Sequence, residues 1–132
     1  MIDWTDAFDN IGAVKNGAAL PGKWAAAAEA FRKGYPGEED LPYGDHAREV
    51  LDLFAPEGPS RGTFLYIHGG YWHKFDKSYW SHLARGAVLR GWHVAVVSYP
   101  LAPEARLSQM TASVARAVAF CAARVPGLIC VA

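Results

Sequence analysis

The strongest constraint on the fold is an alternation that begins at residue 63. Residues 63–67, 93–97 and 128–131 are short, mostly apolar runs, of the length and type expected for buried strands. Between them lie two longer stretches with apolar residues at helical spacing. Trp80, Leu83, Ala84, Ala87 and Val88 predict a helix over 78–90, capped by Asp76 or Ser78 and stopped by Gly91. Leu107, Met110, Val114, Val118 and Cys121 predict a second over 107–123, broken by Pro126-Gly127. Strand, helix, strand, helix, strand means βαβ units, hence an α/β fold with a parallel sheet flanked by helices.

The first sixty residues read differently. Asp3 to Phe8 form a short amphipathic stretch, and Pro21 opens a helix over 22–33 with Trp24, Ala27, Ala28 and Phe31 on one stripe. Val50, Leu51, Leu53 and Phe54 form an extended run closed by Pro56 and Gly58. The connection over 58–62 is short, so an antiparallel hairpin between 50–54 and 63–67 is the simplest expectation.

At 132 residues the chain makes one domain, and folding it buries roughly two-thirds of its unfolded surface. No apolar run approaches the ~20 residues of a membrane span and no basic-then-apolar leader opens the chain, so a cytoplasmic protein without membrane contact is expected. Net charge is zero, yet eleven of the thirteen acids lie in residues 1–60, where only five of the thirteen bases are found. The acidic part is expected to pack over the basic part, or over a partner. The bases are scattered singly, which argues against a nucleic-acid surface. Cys121 and Cys130 form no C-x-x-C pair, so two buried free thiols are expected rather than zinc. His73 and Asp76 stand three apart in a loop with no third ligand; no metal and no cofactor are expected.

The run 63–67 leads straight into His68-Gly69-Gly70-Tyr71-Trp72. Paired glycines after a strand let the backbone turn sharply and expose N–H groups. Such groups can serve as a bare turn, or hold the oxyanion formed when an acyl group is attacked.

That run, with Asp76-Lys77-Ser78 and Tyr99-Pro100-Leu101-Ala102-Pro103-Glu104, resembles the α/β-hydrolase superfamily, within it the kynurenine formamidase (arylformamidase) and esterase branch. Tyr43-Gly44-Asp45 and Leu51-Asp52-Leu53-Phe54-Ala55-Pro56 fit that branch's first strands, and Asp3-Trp4 with the helix at Trp24 fits its N-terminal cap. The resemblance implies the N-terminal half of an α/β-hydrolase fold: one incomplete domain over 1–132, with 1–40 as a helical cap segment. It also implies an oxyanion hole at the backbone of Gly69, Gly70 and Tyr71, with His68 bracing the loop. Tyr71 and Trp72 would line the substrate pocket, and the Leu-Ala-Pro-Glu loop would shape the wall. At Pro103 a cis bond is possible.

In this fold the nucleophilic serine sits in G-x-S-x-G between a strand and a helix, followed by an acid and a histidine. The literal match Gly58-Pro59-Ser60-Arg61-Gly62 precedes the His-Gly-Gly loop and joins two strands, so it is not the elbow. The elbow is expected after the strand at 128–131, and the chain ends at Ala132. The resemblance thus implies a serine hydrolase acting by acyl transfer on a small-molecule ester or N-formyl amide. This polypeptide would hold its oxyanion half and be inactive alone. The alternative is a non-catalytic, truncated α/β domain that binds a partner or self-associates, as a possible homo-oligomer, through its open sheet edge.

Overall fold

Five short segments with alternating or continuous apolar character assemble into one sheet, and the order of its strands positions everything else. The structure is a computed structural model describing residues 1–132. In chain order the elements are α1 (Trp4–Ala7), α2 (Leu20–Gly34), β1 (Glu38–Pro42), β2 (Val50–Phe54) and β3 (Gly62–Ile67). They continue with α3 (Arg85–Val88), β4 (His93–Val97), α4 (Leu107–Arg124) and β5 (Leu128–Val131). The sheet order is β1-β2-β4-β3-β5, with β3 parallel to both β4 and β5, and β2 antiparallel to β1 and β4.

The α/β class and the parallel sheet are as the pattern predicts, and an antiparallel hairpin does lead into it. That hairpin joins β1 to β2, however, rather than 50–54 to 63–67. β2 lies instead beside β4. The reason is burial: Val94 to Val97 are at most 1% exposed, and a run that is apolar on both faces belongs in the middle of a sheet. β4 therefore inserts between two strands that are adjacent in sequence.

The two faces divide the strand residues by parity. Ala95 and Val97 join Leu51, Leu53 and Leu65 beneath α4, where Ala117, Cys121 and Val125 meet them. Val94 and Val96 join Phe54, Ala84 and Val88 on the other face, covered by Phe31 of α2 and by Trp80. α4 approaches closely because Ser113 and Ala117, both 0% exposed, lie at the centre of its stripe. Leu107, expected in that stripe, is exposed.

Two expectations need correction. Residues 78–90 are not one helix but short 3₁₀ turns at Lys77–Tyr79 and Ser81–Ala84, followed by α3. Trp80 interrupts the ladder (φ −124°, ψ 0°) and turns its ring onto Trp24, with centroids 5.0 Å apart. Trp80, Ala84, Ala87 and Val88 of the expected stripe do face the core while Leu83 is exposed, and aromatic packing against α2 sets the backbone. Second, Cys121 is buried while Cys130 is exposed. β5 pairs on one side only and leaves Leu128 and Val131 uncovered too. No helix is long and apolar enough to cross a membrane.

Candidate functional site

The connection leaving β3 runs to the face covered by α3, and the connection leaving β4 runs to the face covered by α4. A crevice therefore opens at the carboxyl ends of these neighbours, the place where open α/β sheets put ligands. His68 follows β3 into it, and Tyr99 lies two residues past β4. Their rings stack with centroids 4.7 Å apart and 19° between planes. The Tyr99 hydroxyl donates to the His68 carbonyl at 2.7 Å.

His68 is 2% exposed. Its Nδ1 lies 2.7 Å from the Gly69 carbonyl oxygen, which only a protonated Nδ1 can satisfy. Nε2 has no partner. Burial depresses the pKa of the imidazole, against the opposing pull of the Gly69 carbonyl, so the ring is neutral at neutral pH.

Beyond Gly69 three consecutive residues take positive φ: Gly70 at 127°, Tyr71 at 51° and Trp72 at 60°. A Cβ on Gly70 would fall on the Lys74 carbonyl oxygen. Gly70 instead tightens the turn by accepting from the amides of His73 (3.2 Å) and Lys74 (3.1 Å). The amides of Gly69, Gly70, Tyr71 and Trp72 themselves donate to no group of the chain. Successive free N–H groups in such a turn form an anion-binding concavity.

The loop is tethered from behind at several points. The Trp72 carbonyl accepts from the Ala102 amide at 2.8 Å, which fastens it to the Leu-Ala-Pro-Glu loop, where the Ala102–Pro103 bond is cis. Arg48 donates to the carbonyls of Phe75 (2.6 Å) and Tyr99 (2.9 Å). Lys77 follows directly, its ammonium 2.6 Å from Asp52 and 2.8 Å from Asp40. Burial alone would lower the pKa of that amine, and the two carboxylates more than reverse it. The Asp76 carboxylate accepts from the Ser78 amide at 2.8 Å and so caps the first 3₁₀ turn. Burial raises its pKa, and the Ser78 bonds with the Arg48 and Lys77 charges outweigh that.

Two cavities flank the loop. One of about 820 Å³ lies between the N-terminal segment and the loop, with Phe8, Asn10, Trp24, Tyr71 and Phe75 in its wall. Asn10 donates there to the Tyr71 hydroxyl at 2.7 Å. The other, about 410 Å³, is lined by Ile67, Trp72, Tyr99, Met110 and Val114. Tyr71 and Trp72 are both half-exposed. The carboxyl end of β5 adjoins the site, since the Ile67 amide donates to the Ala132 carbonyl at 2.7 Å.

The structure thus brings His68, Gly69, Gly70, Tyr71 and Trp72 to one end of the sheet. Ser60 lies at the other end, in the connection between β2 and β3. Arg48 and Asn10 were not singled out from sequence, and Lys77 entered only within the run Asp76-Lys77-Ser78. Arg48 and Lys77 both lie in polar connections of the sequence, where nothing marks their partners.

These features define an α/β-hydrolase fold. Structural comparison agrees: the bacterial heroin esterase shares it at a TM-score of 0.69 and 22% identity, over 93% of this chain and 42% of that one. A Silicibacter protein with a provisional thioesterase assignment superposes at a TM-score of 0.93 with 43% identity, over 99% of this chain and 51% of its own. Kynurenine formamidase of Danio rerio is 36% identical over 81 residues, which are 60% of this chain and 28% of that protein. The Drosophila melanogaster kynurenine formamidase is 35% identical over 74 residues, 54% of this chain and 24% of its own. No family model matches. The chain is accordingly related to the kynurenine formamidases and esterase-like α/β-hydrolases, and it spans about half of the Silicibacter protein and less of the formamidases it matches.

Proposed function

We propose that this chain forms the oxyanion-binding half of a serine hydrolase, one that transfers the acyl group of a small-molecule ester or N-formyl amide to water. The observation that carries the reading is the set of unpaired amides at Gly69, Gly70 and Tyr71, held at the carboxyl end of β3 beside the end of β5. Acyl transfer needs donors aimed at the developing alkoxide and a serine to attack the carbonyl. The serine would be supplied from the turn after β5, next to the loop, and its acid and histidine later still. Tyr71 and Trp72 would then face the acyl and leaving groups in the two flanking cavities. Residues 1–40 would act as the cap, with Asn10 on Tyr71. His68 would support the loop without moving protons. No cofactor or metal takes part in this scheme. Without the nucleophile the 132-residue polypeptide would give no serine-hydrolase turnover.

The test uses the chain as it stands. Titration with formate or benzoate, followed by ¹⁵N–¹H shifts, should give saturable changes centred on the amides of residues 69–72. Gly70→Ala should abolish them. Shifts absent from these amides, or multiple-turnover ester hydrolysis that is insensitive to Gly70→Ala, would refute the proposal.

A second reading rests on the open edge of β5, where Leu128, Cys130 and Val131 are exposed. An uncovered apolar edge strand pairs readily with another, so a non-catalytic domain would self-associate there. Light scattering showing a concentration-independent monomer would exclude it.

A further inference from the structure

The amino ends of β3 and β4 lie roughly 17 Å from the His68 loop, five residues of strand away. Ser60 and His93 meet there. The Ser60 Oγ is 2.8 Å from His93 Nδ1, while the Gly62 amide donates to the same Oγ at 3.1 Å. With Gly62 donating to the oxygen, the shortest outlet for the hydroxyl proton is Nδ1, the Gly62 carbonyl being farther at 3.2 Å. In the Nε2–H tautomer of His93 the hydroxyl donates to Nδ1 in preference to the Gly62 carbonyl, and its oxygen already accepts an N–H that would stabilise an alkoxide.

The pair is held in place rather than met by chance. The Arg61 amide donates to the Gly91 carbonyl at 2.8 Å, which ties the Ser60 connection to the turn before β4. The Arg61 guanidinium covers the Trp92 ring at 5.2 Å. Thr63 and His93 are register partners in the parallel ladder, so the imidazole is anchored on the sheet. Burial holds the His93 pKa below its ordinary value, with the Glu38 carboxylate opposing, and a neutral ring is a competent base. Ser60 itself is exposed.

We propose that Ser60, with His93 as its base, is an acyl-acceptor site for activated aryl esters, separate from the His68 loop. In the step, a bond forms between Ser60 Oγ and the acyl carbon as the ester C–O bond to the aryloxide breaks. The hydroxyl proton passes to His93 Nδ1 and from there to the departing aryloxide or to water. The Gly62 N–H is already engaged with Oγ, so it is not free to hold an oxyanion as the amides of 69–72 are. The product is therefore a stable acyl-serine, formed once per chain, rather than turnover.

The experiment treats the purified chain with p-nitrophenyl acetate and follows intact mass, then peptide mapping. Ser108 is exposed as well and has no histidine partner, so it serves as internal reference. The expected result is one acetyl group on Ser60, acquired at least about a hundredfold faster than on Ser108, the low end of what a positioned base gives. His93→Gln should reduce the Ser60 rate to that of Ser108, and Ser60→Ala should remove the fast adduct while leaving Ser108 labelling unchanged. Equal rates at Ser60 and Ser108 would overturn the proposal, as would a fast adduct that survives Ser60→Ala or a Ser60 rate indifferent to His93→Gln. Since Ser60 is no part of the amide loop, Gly70→Ala should leave its acylation unaffected.

Discussion

Lys77→Met removes the one cation that reaches Asp52. The Asp52 side chain is 1% exposed and that of Lys77 9% exposed, with the charged atoms 2.6 Å apart. In the variant the carboxylate keeps only the Asp40 amide, 2.9 Å from Oδ1, because Oδ2 has no partner. A buried charge stripped of its counter-ion costs about 3–5 kcal/mol. Against a domain stability of about 5–15 kcal/mol, that is a large fraction. The Asp40 arm weighs differently. Its side chain is 75% exposed, and solvent screening leaves such a pair about 0–1 kcal/mol.

The two arms therefore separate in one assay. Urea unfolding followed by tryptophan fluorescence should show Lys77→Met destabilised by about 3–5 kcal/mol and Asp40→Asn by less than about 1 kcal/mol. The double variant Lys77→Met/Asp52→Asn should regain most of the loss, because the stranded charge is gone. Equal effects of Lys77→Met and Asp40→Asn would refute the reasoning, and so would a double variant no better than Lys77→Met alone.

Gly70→Ala should cost about 1–3 kcal/mol of local strain; in any longer hydrolase containing this loop it should lower kcat by about 10²–10³, the effect of losing an oxyanion donor. Tyr43→Phe removes bonds to the Ser98 carbonyl (2.5 Å) and to Ser113 (2.9 Å), so urea unfolding should show a loss of about 1–3 kcal/mol. Burial pushes the Tyr43 pKa up to about 12 from 10.0; its contribution is intact below pH 10 and lost as pH rises toward 12, and Tyr43→Phe should flatten alkaline unfolding there. Burial lowers the pKa values of His68, His82 and His93 from 6.5. The unfolded chain then takes up protons first, so stability should fall as pH drops below about 6.5 and level off once the folded rings protonate. His68→Gln should reduce that slope, measured by urea midpoints across the interval.

The parts of the fold that rest on short-range pattern were readable. β4 and β5 fall where their apolar runs lie, and Pro21 does sit in the first turn of α2. The His-Gly-Gly loop was readable for a similar reason: Gly70 occupies a φ that excludes other residues, and that demand is written into the sequence as glycine. Pairing was not readable. That β4 separates β2 from β3 depends on which run loses most by facing water, a comparison across forty residues. Nor was the breakup of 78–90, since Trp80 satisfies a helical stripe and an aromatic cluster equally well on paper. The tethers at Arg48, Lys77 and Tyr99 are contacts between elements far apart in sequence, and a lone cation gives no notice of its partner.

Preorganisation also bears on where binding and chemistry divide. A donor array helps a transition state only if its geometry is fixed before the charge appears. Here the fixing groups are the Ala102 amide, Arg48, the Tyr99 hydroxyl and the Lys77 ion pair, each satisfied within residues 40–102. None of them depends on the residues that would carry a nucleophile. The loop should thus hold its shape, and bind an anion, independently of whether the polypeptide turns over a substrate. Anion binding by the 132-residue chain and hydrolysis by a longer one become separate measurements of separate parts. A loop whose amide shifts responded to carboxylate only after further residues were added would mean that these tethers do not set its geometry.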